Sequence, residues 1–249
     1  MHLESFYVRP EDVSGDKLIF RDGESRHLTR VLRKKAGDTV VAVDGCGKAY
    51  DVRIRSIGRG TATAEITRVR ERAGEPNVEL TLAQGLVKGG RFDWLVEKAT
   101  EIGVVRIIPV HSKNCVVRTL SEHKMERLRK IALSAVKQSG RSLIPEITPV
   151  CPFDAVVESA AVYDVRLIAD LAAGEETATA DRIRNPVPFR KVLCLVGPEG
   201  GLDGTEMKRA LDGGFRPISL GPRRLRSETA GIVLVSWVLS QVEPRPLFL

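Results

Sequence analysis

Aromatic side chains are scarce, at 5% of the 249 residues, and only two of them are tryptophan. The first seventy-odd residues hold just Phe6, Tyr7, Phe20 and Tyr50 as ring platforms. That is too few for a module that reads a nucleic-acid sequence mainly by base stacking. Cysteine is also sparse. Cys46, Cys115, Cys151 and Cys194 lie far apart, with no C-x-x-C pair and no histidine at metal-ligand spacing. A disulfide framework and a zinc site are excluded, no metal is expected, and isolated thiols fit a reducing cytosol. All four are read as small buried apolar side chains. The four histidines, His2, His27, His111 and His123, stand apart from the glycine-rich turns described below, which disfavours a Ser-His-Asp hydrolase. No apolar run approaches the roughly 18 residues needed to span a bilayer. The opening MHLESFYVRP has no apolar signal-peptide core. A cytoplasmic protein without a membrane partner is the expectation.

The chain does carry charge, with 39 Lys+Arg against 32 Asp+Glu, a net of +7, and 43% hydrophobic residues. It is a soluble, core-forming composition with a basic balance that favours polyanionic partners. Residues 1–72 hold a net +4, so more than half of the excess lies in under a third of the chain. In that stretch Thr39 to Val43, Tyr50-x-Val52-x-Ile54 and Ala62-x-Ala64-x-Ile66 alternate at period two. Asp44-Gly45 and Gly58-Arg59-Gly60 punctuate them as turns. A small sheet curling into a barrel is expected. One helix pattern, Glu24 to Arg33, places His27, Leu28, Val31 and Leu32 near one face. Around it cluster Arg26, Arg30, Arg33, Lys34 and Lys35, with Arg53 and Arg55 on one side of a strand. These are either a solvated surface or a phosphate-tracking face, and Arg26, Arg30, Arg33 and Lys34 are taken as candidate RNA contacts. Residues 70–77, RERAGEPN, read as a linker, dividing the chain into 1–72 and 73–249.

Beyond it, strands alternate with helices: Val78 to Ala83, Val104 to Val110, Val165 to Ala169, Val192 to Val196 and Pro217 to Leu220. This predicts a mostly parallel sheet with helices on both faces. Gly103 is expected to end the helix carrying Phe92, Leu95, Val96 and Ala99, and Asp203 with Glu206 to form a capping box. In the helix over Ser121 to Ser139, Arg127, Lys130 and Lys137 oppose an apolar arc, and Arg141 extends their line. That basic stripe is an ordinary surface or a further RNA contact. The helix Glu228 to Gln241 is apolar almost all round, which suits a central core helix or half of a homodimer interface. Residues 172–188 read as a loop or a short irregular helix, and the tail Pro246 to Leu249 would want cover.

Two strands end in glycine-rich turns, Gly197-Pro198-Glu199-Gly200-Gly201 and Gly221-Pro222-Arg223-Arg224-Leu225-Arg226. In an open α/β sheet ligands bind beyond the C-terminal strand ends, so the two turns can wall one pocket. Neither is a Walker loop nor G-x-G-x-x-G. Three arginines beside the second favour an anionic substrate.

The runs Leu195 to Gly201 and Leu220 to Ala230 strongly resemble the signature of the RsmE family, SPOUT-superfamily methyltransferases that make N3-methyluridine in small-subunit (16S) ribosomal RNA. Glu97 to Val104, Gln138 to Arg141 and His27 to Asp38 resemble its remaining motifs; the family usually has Gln at position 97 and Ile at position 224. The resemblance implies a PUA-like N-terminal β-barrel domain and a C-terminal α/β SPOUT domain with a trefoil knot. It further implies S-adenosylmethionine (SAM) as cofactor and a homodimer with its active site at the subunit interface. Leu195, Val196, Gly197, Pro198, Gly200, Gly201, Leu220, Gly221, Leu225, Thr229 and Ala230 are the expected cofactor residues. Arg226 and Arg223 would stabilise the uracil as its N3 proton leaves. Glu199 is either the proton acceptor or a structural acceptor fixing its turn. Two other readings stand beside this one: another SPOUT reaction such as tRNA ribose 2′-O-methylation, and a non-catalytic ribosomal RNA assembly factor.

Overall fold

The computed structural model describes residues 5–170 and 191–242. The segment 172–188, expected as a loop or short irregular helix, and the apolar tail lie outside them. Two compact units are present. One comprises the chain to Glu75 with Leu133–Ile144, the other Pro76–Ala132 and the chain from Pro145.

The first unit is a six-stranded sheet. Its strands are β1 (Phe6–Tyr7), β2 (Val13–Ser14), β3 (Lys17–Arg21), β4 (Thr39–Val43), β5 (Lys48–Ile57) and β6 (Thr61–Glu71). Their order is β1-β4-β5-β6-β3-β2, antiparallel except for β1 beside β4. Phe6, Phe20, Val40, Tyr50, Val52, Ile54, Ala62 and Ala64 share one buried cluster, so residues from both halves of the sheet face a common interior and the sheet curls. The period-two alternation is what permits this: Arg53 stands exposed between the buried Val52 and Ile54, and Arg55 is exposed just beyond them. Register shifts at Asp51/Val52 and Ile54/Ser56 tighten the bend.

The helix pattern behaves differently from its sequence stripe. Helix α1 (Asp22–Arg26) runs into a π-wound turn, His27–Val31, in which the Leu32 N–H donates to the His27 carbonyl at 3.0 Å. The extra residue per turn moves the arc. Leu28 is buried, but Val31 and Leu32 face solvent. The thiols also divide. Cys115 and Cys194 are buried and Cys151 is half-buried. Cys46 is exposed, contrary to expectation, because it sits in the β4–β5 turn with its N–H donated to Asp44.

Residues 70–77 are pinned rather than slack. Glu75 accepts bonds from the backbone N–H groups of Ser142 and Leu143, both at 2.9 Å, and pairs with Arg141 at 2.6 Å. Both side chains of that pair are essentially inaccessible.

The second unit is built on parallel strands β7 (Glu79–Gly85), β8 (Arg106–His111), β9 (Glu146–Ile147), β10 (Cys151–Pro152), β11 (Val165–Ala169), β12 (Lys191–Val196) and β13 (Arg216–Ile218). Its order is β10-β8-β7-β12-β11-β13, with β9 beside β8. Helices α2 (Arg91–Ile102), α3 (Glu122–Ser139), α4 (Phe153–Glu158), α5 (Gly204–Asp212) and α6 (Ser227–Val242) intervene, α3 continuing into the first unit. The near-continuous burial of β7 and β12, with Thr81 and Gln84 as the only polar side chains among the buried ones, fits strands covered on both faces. Gly103 closes α2 at φ +117°, where its missing side chain makes room for Pro76. Asp203 and Glu206 form the expected capping box at α5. Helix α6 packs on α2 and on the sheet through Gly231, Leu234, Val235, Val238 and Leu239. Its burial is one-sided: Val233 is exposed, and Ile232 and Trp237 are half-exposed.

Candidate active site

Strand β12 ends at Val196, and the first glycine turn begins where its neighbour β7 also ends. The two ends touch. A Cβ on Gly85 would fall 2.3 Å from the Pro198 nitrogen and 2.6 Å from the Gly197 carbonyl carbon. A hydrogen-bond chain fixes the turn: Gln84 Nε2 donates to Ser227 Oγ at 2.7 Å, and that hydroxyl donates to the Gly197 carbonyl at 2.5 Å. Three segments distant in sequence thus meet at one point. On the far side Asn114 Nδ2 donates to the carbonyls of Gly200 and Gly201, at 3.3 and 3.2 Å. Side chains have no room here. A Cβ on Gly197 would lie 3.1 Å from the next turn of backbone, and one on Gly200 3.0 Å from Asn114.

The second turn leaves Ile218 through Gly221, at φ +97°, and reaches the first residue of α6 at Ser227. Only glycine takes such a φ without strain. Together the turns wall a cleft of about 510 Å³, within the usual range of about 300–1,000 Å³ for small-molecule sites. Val196, Gly197, Pro198, Gly200, Gly201, Leu220, Leu225 and Ala230 line it, as do Glu199, Arg223 and Arg226. Three of the expected cofactor residues lie elsewhere. Leu195 is wholly buried in β12, with β7 on one side and β11 on the other, so its backbone groups are spent in the sheet. Gly221 and Thr229 fall just outside the lining, each next to or near residues that are in it.

Sequence reasoning missed Arg91, Asp170 and Ser227, which also line the cleft. The available signal was topological, since Asp170 follows β11 and Arg91 follows β7, both ending at the same sheet edge. Arg91 stands between two carboxylates, with Nη1 3.5 Å from Glu199 and Nε 3.8 Å from the buried Glu228. Glu199 also accepts the Lys88 N–H at 3.0 Å, which ties the first turn to the β7–α2 loop. Past the first turn, at the N-cap of α5, Lys113 contacts Asp203 at 2.6 Å. That hydrogen bond, with the Glu206 N–H, holds the Asp203 carboxyl below its ordinary value.

The basic candidates separate into two groups. Arg26, Arg30 and Arg33 are exposed and Lys34 is half-buried. Lys130 is well exposed beside Glu126, and Arg127 is largely exposed while donating to Asp93 at 2.9 Å. Arg141 must be withdrawn, because its guanidinium is sealed against Glu75 and reaches no solvent-borne phosphate. Lys137 is likewise committed, at 2.7 Å from Glu24 with little of its side chain exposed. The stripe along α3 is therefore interrupted.

Known proteins resolve the class. The family profile described as RNA methyltransferase domain matches residues 74–239, and that described as RNA methyltransferase PUA domain matches 20–67. The chain belongs to the RsmE family of RNA methyltransferases. A ribosomal RNA small subunit methyltransferase E from Mesomycoplasma hyopneumoniae is 37% identical over 176 residues, covering 70% of this chain and 74% of that one. Its counterpart from Aquifex aeolicus is 30% identical over 96% of this chain and 100% of its own. In structure, the Neisseria gonorrhoeae enzyme bound to S-adenosyl methionine superposes with a TM-score of 0.83 at 31% identity, covering 96% and 98% of the two chains. The fold class is thus a PUA-like unit followed by an α/β unit of the SPOUT methyltransferase class, as the motifs implied.

Proposed function

We propose that this protein transfers a methyl group from SAM to N3 of a uridine in small-subunit (16S) ribosomal RNA. The observation that carries the reading is the single cleft walled by both glycine turns, with Arg223, Arg224 and Arg226 gathered at it. The residues present fit the cofactor. Backbone N–H and C=O groups of Gly197 to Gly201 can meet a nucleoside edge, Val196, Leu220, Leu225 and Ala230 supply apolar walls, and Gly197 and Gly200 leave no side chain in the way. When bound, SAM supplies an electrophilic methyl group on a sulfonium sulfur.

The protein's task is then positioning and charge stabilisation. Uridine N3 carries an imide proton and is a weak nucleophile until that proton leaves. The imide proton passes to solvent water, and the Arg226 guanidinium, with Arg223, donates to the uracil carbonyl oxygens and stabilises the imidate that remains. Glu199 serves as a tie, since its Oε1 is already engaged by the Lys88 N–H and Arg91. The cations Arg26, Arg30, Arg33, Lys34, Arg127 and Lys130 hold phosphates of the same RNA. The substrate is the RNA of an assembled subunit, because a preorganised uridine lowers the cost of extrusion, which is about a few kcal/mol. The exposed apolar flank of α6, Ile232, Val233 and Trp237, supports a homodimer. The protein works where ribosomes are, in the cytoplasm; among the described residues no helix is long and apolar enough to cross a membrane.

Methyl on N3 blocks the Watson–Crick edge and halts reverse transcriptase. Incubating the protein and SAM with small subunits from a strain lacking its own enzyme should produce one new primer-extension stop. Readthrough with demonstrably folded protein would refute the assignment. Mass spectrometry of the nucleosides separates N3 from ribose methylation.

A further inference from the structure

The π-wound turn ahead of β4 presents two large apolar side chains to water. Val31 is 65% exposed and Leu32 41%, while Leu28 of the same turn is fully buried and anchors it. Hydrogen bonds hold the projection at three points. Thr29 Oγ1 donates to the Ser25 carbonyl at 2.8 Å, the Lys34 N–H to the Leu28 carbonyl at 3.0 Å, and the Lys35 N–H to Asp38 at 2.8 Å. Arg33 is kept at φ +52°, a left-handed conformation that is uncommon for a long side chain such as arginine's. Such conformations persist where the surroundings enforce them, and they gather at functional sites, as π-turns do.

Charge says what covers this tip. Arg26, Arg30, Arg33 and Lys35 are exposed around it and Lys34 is half-exposed. Among the described residues none of the five is held in an ion pair. A second copy would bring five like charges against five, a costly juxtaposition that opposes self-association through this face. RNA offers the complement, with phosphates for the cations and an apolar base face wherever a stack is interrupted. Aliphatic wedges are a known way to engage such a face.

We propose that Val31 and Leu32 form an apolar tip that seats on the face of an unstacked base in the ribosomal RNA, with the surrounding cations holding the flanking phosphates. The partner rests on the function proposed above; the tip adds a non-electrostatic contact to it. The test compares RNA binding by the protein and by the double variant Val31→Ser, Leu32→Ser, using small subunits from a strain lacking the enzyme. The variant should melt like the parent and bind SAM equally. Its RNA Kd and KM should rise about tenfold, with kcat and the slope of log Kd against log salt unchanged. Arg30→Ala with Arg33→Ala should lower that slope. Leu32→Trp should bind RNA severalfold more tightly, an outcome misfolding cannot mimic. Unchanged RNA affinity in the double variant overturns the proposal, as does a loss of oligomer in sedimentation without loss of RNA binding. Failure of the parent to methylate would instead defeat the functional reading, while the affinity comparison, made without turnover, still judges the tip.

Discussion

Replacing Gly85 by alanine tests the first glycine turn from behind, without touching the cleft. Gly85 is the last residue of β7 and does not line the site. An added methyl would sit 2.3 Å from the Pro198 nitrogen and 2.6 Å from the Gly197 carbonyl carbon. Ordinary contact for a Cβ begins near 3.4 Å, so something must give by roughly an ångström. Both clashing atoms are backbone, and Gly197 is bonded to Ser227 at 2.5 Å, so no flexible side chain can swing away. The turn itself must move. Overpacking of this kind costs about 1–3 kcal/mol of stability, and a misplacement of about 1 Å at a site can cost on the order of 100-fold in rate. Calorimetric titration with SAM should therefore show affinity reduced by one to two orders of magnitude, with kcat/KM falling at least as far.

Stability loss alone must be separated from damage to the site, and Gly103→Ala does this. There the added methyl meets Pro76 at 2.4 Å, and φ is +117°, so destabilisation is of a similar kind. Gly103, however, closes α2 and does not line the cleft. That variant should melt at lower temperature and still bind SAM normally. If Gly85→Ala binds SAM as tightly as the parent, the first turn is not the cofactor cradle and the assignment of the cleft fails.

Arg226→Ala should depress methylation by more than 100-fold, the scale for one oxyanion-stabilising donor, and leave the SAM Kd within a factor of about three; equal losses in both would remove Arg226 from its role at the uracil. Arg141→Ala leaves Glu75 buried without its cation, which should cost about 3–5 kcal/mol in urea unfolding. A surface-like loss below about 0.5 kcal/mol would contradict the sealed pair. Asp203, held below its ordinary value by Lys113, contributes stability that is present above the usual aspartate range and lost as pH falls through the lowered value. Asp203→Asn should accordingly flatten the acid-side fall of the urea midpoint, and an unchanged acid limb would show that this carboxylate carries none of it.

What could be read from the sequence was set by range. The capping box at Asp203 and Glu206, the stop at Gly103 and the alternation of β5 each depend on neighbours a few residues away, and each appears as expected. The cleft was legible because both turns carry strong local signals and parallel topology brings strand ends together. The failures are long-range. Arg141 continues the cationic line of α3 on a helical wheel, yet its environment is decided by Glu75, 66 residues earlier. Arg91 belongs to the site only because β7 lies beside β12, a pairing across more than a hundred residues. Knotting is also a property of the whole path, and nothing in hydrophobic period bears on it.

Val31 and Leu32 fail for a different reason. A stripe at i, i+3 and i+4 identifies a buried face only if the helix keeps 3.6 residues per turn, and one π turn breaks that premise. The residues that break it are the same ones left exposed among arginines. A sequence whose apolar pattern is sound but whose winding turns part of it outward has given up burial at that place. Leu28 alone still anchors the turn, so the fold survives the loss. What is kept in exchange is a hydrogen-bonded apolar point in a cationic field, which on the proposal above serves recognition of an RNA surface rather than stability of the domain.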